Sequence, residues 1–215
     1  MPAAEVARLH ALLSGEEQAR AARFLAPAHR ARFAVAHGRL REMLAAELDL
    51  APGSLQFGKA EHGKPFLMGP PGERLQFNLS HSGDLGLVGW TTGRRLGVDI
   101  EVWRPLADEA GLVRRYFSRA ENAAYEALSP SDRRQGFFEC WTRKEAYIKA
   151  VGRGLGLPLD SFDVSFGPGV VPALLRPSGE VPDGQSWSLA APELPAGRSA
   201  AVILEGDACH VLEPR

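Results

Sequence analysis

The alternation of two hydrophobic periods along this chain limits its fold more than any other feature. Up to about residue 50 the period is helical: Leu40, Met43, Leu44 and Leu48 make a stripe, with Arg39, Arg41, Glu42 and Glu47 outside it. AEVARLHALLS reads as one short amphipathic helix, and the stretch from GEEQ to ELDL as a longer helical region broken near Pro27. The pattern then changes to loops and short strands punctuated by Gly and Pro, and residues 85–90 and 96–102 read as a hairpin about a turn at 91–94. Segment 105–151 is helical again, interrupted by LSPSDRR, after which FDVSF, SWSLAA, SAAVILEG and CHVLE read as strands. Helices, strands, helices, strands predict an α+β fold of two lobes of similar size, 1–104 and 105–215.

The totals narrow the class. A chain of 215 residues with 45% apolar and 24% charged residues buries a substantial core. A net charge of −1 argues against bulk nucleic-acid binding. Cys140 and Cys209 stand in unrelated contexts, which argues against a disulfide scaffold or a zinc site and suits a reducing compartment. No apolar run approaches the ~18 residues of a membrane span, and the first residues lack a basic-then-apolar signal pattern. These features predict a cytoplasmic protein with no membrane segment.

Several short stretches carry chemistry. In GVDIE, residues 97–101, strand alternation puts Asp99 and Glu101 on one face and Val98 and Ile100 on the other. Two carboxylates ~7 Å apart on a strand repel unless a cation or a shared proton lies between them. A hard divalent cation answers that need; a solvated outer face of an edge strand is the competing account. In WTRKEAYIKAVGRGLGLPL, Trp141, Glu145 and Lys149 follow one another at four-residue spacing and share a helix face. Glu145 and Lys149 are either a surface ion pair or, turned inward by Trp141, a carboxylate for a metal and an ammonium for a phosphate. Gly152 fits the left-handed position just past the helix end. In FNLSHSG, Ser80, His81 and Ser82 form a polar run where the chain turns between apolar strands, an anion-binding nest or a hydrogen-bonded turn. Lys64 projects from the HGKP turn, one of only four lysines in an arginine-rich chain.

FNLSHSG, GVDIE, FSRAE and FFECWTRKEAYIKAVGRGL occur in this order, and with them the chain resembles the 4′-phosphopantetheinyl transferase superfamily in its larger, surfactin-type class. The resemblance is strong over residues 54–162 and looser in the arginines of ARAARF and RARFAVAHGRLR. It implies two α+β lobes related by a pseudo-twofold axis with the active site in the cleft between them. It implies a Mg²⁺-dependent reaction in which the phosphopantetheine arm of coenzyme A moves to a serine of an acyl or peptidyl carrier protein, releasing 3′,5′-ADP. It makes Asp99, Glu101 and Glu145 the metal ligands, and Lys149 a pyrophosphate contact. It makes Ser80, His81, Lys64, Arg32 and Arg20 contacts to the coenzyme, and Glu145, Glu121 or a metal-bound water the base for the carrier serine. Trp141 becomes packing support, and Lys144 another motif position. His37 stands where the family often carries arginine.

Two other classes fit parts of the pattern. A Mg²⁺-dependent nuclease or phosphodiesterase would place a lysine just behind the second carboxylate, but Val102, Trp103 and Arg104 follow Glu101. A non-catalytic module binding coenzyme A or a carrier would tolerate a broken carboxylate triad, and all three are present. The implied carrier is acidic, and Arg114, Arg115, Arg133 and Arg134 are candidates to meet it, against a plain solvated basic face. Two lobes in one chain also predict a monomer.

Overall fold

The structure, a computed structural model, describes residues 1–70, 72, 74–179 and 186–207. Cys209 and the expected strand CHVLE lie outside the described residues. By its contacts the chain divides into two compact units, Met1–Gly58 with Phe66–Leu75, and Lys59–Pro65 with Gln76–Arg215.

The first unit is mainly three helices, α1 (Ala3–Ala11), α2 (Gly15–Ala22) and α3 (Pro27–Leu48). A capping box starts α2: Ser14 Oγ accepts from the Glu17 N–H, and a Glu17 carboxylate oxygen accepts from the Ser14 N–H. Pro27 opens α3, where its missing N–H has no intrahelical partner to lose, and this is the break visible in the sequence. Leu13, Ala21, Phe33 and Ala34 form a core cluster here. Arg41 is buried, and its guanidinium is matched by Glu17 at 2.7 Å and the carbonyls of Pro52 and Leu55. The short strands β1 (Phe57–Lys59) and β2 (Pro65–Leu67) pair with each other.

In the second unit β3 (Leu75–Ser82) pairs with β4 (Leu85–Thr92), and the turn falls at Gly83 and Asp84, just after the polar run. Next come β5 (Leu96–Val102), α4 (Glu109–Tyr116), α5 (Arg119–Glu126), α6 (Arg133–Val151), β6 (Asp163–Val164), β7 (Leu174–Arg176), β8 (Trp187–Ala190) and β9 (Arg198–Glu205). The expected hairpin of β4 with β5 does not form. β5 pairs antiparallel with β9, Leu96 opposite Leu204 through Val102 opposite Arg198, in the sheet order β5-β9-β8. The reason is apolar matching: Val98 faces Val202 and Ile100 faces Ala200, while β4 takes β3 as its partner. The boundary expected at 104/105 therefore falls inside a unit, because this ladder ties β5 to the last described strand.

Helix α6 lies on this sheet and is buried on most of its surface, polar Thr142, Arg143 and Lys144 included. Phe137, Phe138, Cys140, Ala146, Tyr147, Ile148 and Ala150 are buried with Ala201 and Ile203 of β9 in one core. Burial pushes the Cys140 thiol up, so it behaves as a small apolar side chain. Gly152 ends the helix in a left-handed conformation, φ 81°, as the sequence predicts. The secondary structure is mixed α and β throughout, and among the described residues no helix is long and apolar enough to cross a membrane.

Candidate active site

The site begins with Gly97. On β5, residues 97, 99 and 101 share a face, and α6 packs on that face so closely that a Cβ at Gly97 would stand 1.9 Å from the Ala146 carbonyl oxygen. Only glycine lets the helix approach to this depth. Between residues 141 and 150 of α6, only Trp141, Glu145 and Lys149 escape full burial. Trp141 stacks on Phe137 at 5.9 Å and meets Tyr116 edge-on, so it anchors one end of the stripe in the aromatic core. Glu145 and Lys149, at the other end, meet the carboxylates of β5.

Lys149 Nζ lies 2.6 Å from Asp99 Oδ1 and 3.1 Å from Ser80 Oγ. Ser80 Oγ donates to the same carboxylate oxygen at 2.7 Å. Asp99 is 4% exposed, which removes the solvated-face account of GVDIE. Burial raises the Asp99 carboxyl against the lowering effect of Lys149. Burial also raises Glu145, with the negative charges of Asp99 and Glu101 adding to it and Lys149 opposing. The three carboxylates thus feel one another across the β5–α6 contact. Glu101 Oε2 accepts from Ser82 Oγ at 2.6 Å and from the Arg104 guanidinium at 3.0 Å.

Among the described residues no three His, Cys, Asp or Glu side chains are already gathered as a metal cage. The donor chemistry nevertheless fits a hard divalent cation. Every candidate ligand is an oxygen. Asp99 Oδ2 is buried with no hydrogen-bond partner, an uncompensated acceptor in a site rich in negative charge.

Other expected residues have different commitments. Ser80 is buried and gives its proton to Asp99. His81, one residue on in the strand, is exposed. Lys64 Nζ donates to the carbonyls of Leu96 and Ala150 at 3.0 and 3.2 Å, tying the HGKP turn to the start of β5 and the end of α6. Burial first, and the charge of Arg95 second, bring its pKa down to about 8. Glu121, expected as an alternative base, is 3% exposed and wholly engaged. One oxygen accepts from the Ser118 N–H in a capping box and pairs with Lys144 Nζ at 2.7 Å; the other accepts from the Val164 N–H. That is a structural assignment, because a base needs a free lone pair within reach of its proton. Lys144 is fully buried and also donates to the carbonyls of Leu159 and Phe162. Arg20 and Arg32 are exposed and belong to the first unit, where Arg20 lies over the Phe33 ring. His37 stacks on Phe33 at 4.0 Å with Nδ1 3.4 Å from Glu17. Arg114, Arg115, Arg133 and Arg134 are exposed. Gly97 and Arg104 belong to this site without a motif that singles them out; for Gly97 the glycine inside a strand is the available signal.

Residues 95–193 match the family model described as the 4′-phosphopantetheinyl transferase superfamily, and residues 2–91 the one described as 4′-phosphopantetheinyl transferase, N-terminal. The chain is 37% identical over 193 residues to 4′-phosphopantetheinyl transferase HetI of Nostoc sp., covering 87% of this chain and 76% of that protein. It is 33% identical over 164 residues to a 4′-phosphopantetheinyl transferase of Bacillus subtilis, covering 76% of this chain and 71% of that one. A solved ACPS–CoA complex from Chronobacterium ammoniagenes overlaps 53% of this chain and 96% of its own at 17% identity, with a TM-score of 0.41. The chain belongs to the 4′-phosphopantetheinyl transferase superfamily, and it is an enzyme of that transferase class.

Proposed function

We propose that this protein moves the phosphopantetheine arm of coenzyme A onto a serine of an acidic acyl or peptidyl carrier protein, with Mg²⁺, releasing 3′,5′-ADP, in the manner of the surfactin-type class. The observation that carries this reading is the seating of α6 on Gly97, which lays Glu145 and Lys149 against Asp99 and Glu101. In the transfer, the serine oxygen bonds to the β-phosphorus of coenzyme A while the bond to the bridging oxygen breaks. The electron pair leaves with 3′,5′-ADP, and the serine proton passes to a base.

Asp99, Glu101 and Glu145 would hold the cation, which when bound supplies charge neutralisation to the pyrophosphate. Lys149 brings a half-buried ammonium to the same charge, where low dielectric strengthens its pull on the leaving group. Burial and the like charges of Asp99 and Glu101 raise the Glu145 carboxyl, and with Trp141 and Lys149 it is one of the three residues between 141 and 150 that escape full burial, which makes it the candidate base. His81, Arg20 and Arg32 are exposed cationic or polar groups for the phosphates at the nucleotide end. Lys64, held by two carbonyls, supports that end through the position of its turn. The resemblance also supports two similar α+β lobes about a cleft, and a monomer; light scattering tests the monomer. A cytoplasmic location rests on the sparse cysteines.

Intact-mass measurement of an apo carrier incubated with coenzyme A and Mg²⁺ tests the function, with Asp99→Ala as control. The expected result is the gain of one phosphopantetheine, lost in the control. Coenzyme A binding without any gain on several carriers would leave a binding module instead.

A further inference from the structure

β5 is an edge strand of its sheet, with β9 on one side only. The N–H groups of Val98 and Val102 accordingly need acceptors from elsewhere. β3 supplies them with side chains. Asn78 Oδ1 accepts from the Val98 N–H at 2.7 Å, and Ser82 Oγ accepts from the Val102 N–H at 3.1 Å. Asn78, Ser80 and Ser82 alternate along β3, so all three leave on one face, toward β5.

A serine hydroxyl has one proton to give. With its oxygen held by Val102, Ser82 gives that proton to Glu101 Oε2, 2.6 Å away. Ser80 makes the same gesture two residues earlier, toward Asp99 Oδ1. Each carboxylate therefore has one oxygen held by a β3 hydroxyl together with a cationic side chain, Lys149 for Asp99 and Arg104 for Glu101. In Asp99 the remaining oxygen is the buried one without a partner. The chain of constraint runs from backbone to hydroxyl to carboxylate, which fixes a ligand before any cation arrives.

We propose that Ser82 is a positioning residue for the cation site: its hydroxyl fixes the Glu101 carboxylate so that the second oxygen is left for a divalent cation. This rests on the reading of Asp99, Glu101 and Glu145 as cation ligands. Groups that hydrogen-bond to metal ligands set affinity by restricting them, and their loss weakens binding about tenfold or more.

The test is direct Mn²⁺ binding to the full chain, followed by the electron paramagnetic resonance signal of free Mn²⁺, without coenzyme A or carrier. Ser82→Ala is expected to weaken Mn²⁺ binding about tenfold, and Ser82→Thr, which keeps the hydroxyl, to restore it. In a Glu101→Ala background Ser82→Ala should add no further loss, since the effect passes through that carboxylate. In turnover assays the Mg²⁺ needed for half-maximal rate should rise while KM for coenzyme A stays unchanged. Parent-like Mn²⁺ binding by Ser82→Ala, or a full additional loss in the Glu101→Ala background, overturns the proposal. Parent-like binding by Glu101→Ala overturns the ligand reading beneath it, so the two failures are distinguishable. Should Ser82→Ala misfold, Arg104→Ala removes the other donor from a side chain 58% exposed. A loss below about fivefold, as for an exposed ion pair, leaves the positioning with Ser82; a larger loss assigns it to Arg104 and overturns the proposal.

Discussion

Replacing Glu121 by Gln separates a structural carboxylate from a catalytic one. Lys144 has no exposed surface and pairs with Glu121 at 2.7 Å, beside the carbonyls of Leu159 and Phe162 at 2.6 and 2.8 Å. The glutamine keeps the shape but removes the charge. Its NH₂ must also face a donor, because both glutamate oxygens accept from N–H groups, those of Ser118 and Val164. Stranding a buried charge in this way costs about 3–5 kcal/mol. In a chain of this size each kcal/mol shifts Tm by roughly 2–4 °C, so the expected drop is roughly 6–20 °C. All four tryptophans lie in the second unit, so their fluorescence during urea unfolding reports the unit that holds this pair. The expected outcome is a large loss of stability with turnover per folded molecule nearly preserved. Glu121→Leu combined with Lys144→Met should recover most of the loss, since removing both charges is close to neutral. A variant as stable as the parent but ~100-fold slower, a transition-state loss of about 2.7 kcal/mol, would refute the structural assignment and return Glu121 to the chemistry.

Three further outcomes follow from the same contacts. Gly97→Ala puts a methyl 1.9 Å from the Ala146 carbonyl oxygen, so α6 must move away from Asp99; a stability loss at or above the ~1–3 kcal/mol of ordinary overpacking, with transfer activity lost, is expected in urea unfolding and intact-mass assays. Lys64, ordinarily near 10.5, titrates at about 8 in the folded chain, so between those values the unfolded chain holds more protons. Stability relative to Lys64→Met should therefore rise with pH through that window, by up to about 3 kcal/mol, as measured by urea midpoints at pH 7 to 10. Arg41→Met leaves the carbonyls of Pro52 and Leu55 unpaired and takes the guanidinium from Glu17, which keeps Ser14 and His37, and should cost about 3 kcal/mol, seen by helical circular dichroism and by protease cleavage within residues 1–58, with the tryptophan transition little changed.

Legibility in the sequence stopped where a side chain's partner came from another part of the chain. The GVDIE alternation is a backbone property, so the shared face of Asp99 and Glu101 could be read locally, as could the helix stripe of Trp141, Glu145 and Lys149. That β5 would choose β9 over β4 could not, because the choice depends on Val202 and Ala200, a hundred residues away. FNLSHSG reads as a turn or nest because its polar run stands between two apolar strands. Its strand placement shows only once Val98, Asp99, Glu101 and Val102 stand opposite as partners. Glu121 carries a local sign in the sequence: Ser118-Arg119-Ala120-Glu121 is a capping box, which commits the carboxylate to its own helix. Lys144 then completes its burial. Residue type therefore announces what a group can do, and hydrogen-bond accounting decides what it is free to do. Ser80 and Glu121 have every capacity for chemistry with a substrate, and both spend it holding another residue. In Glu145, by contrast, burial and the like charges of Asp99 and Glu101 raise the carboxyl, which favours it over Glu121 to take a proton.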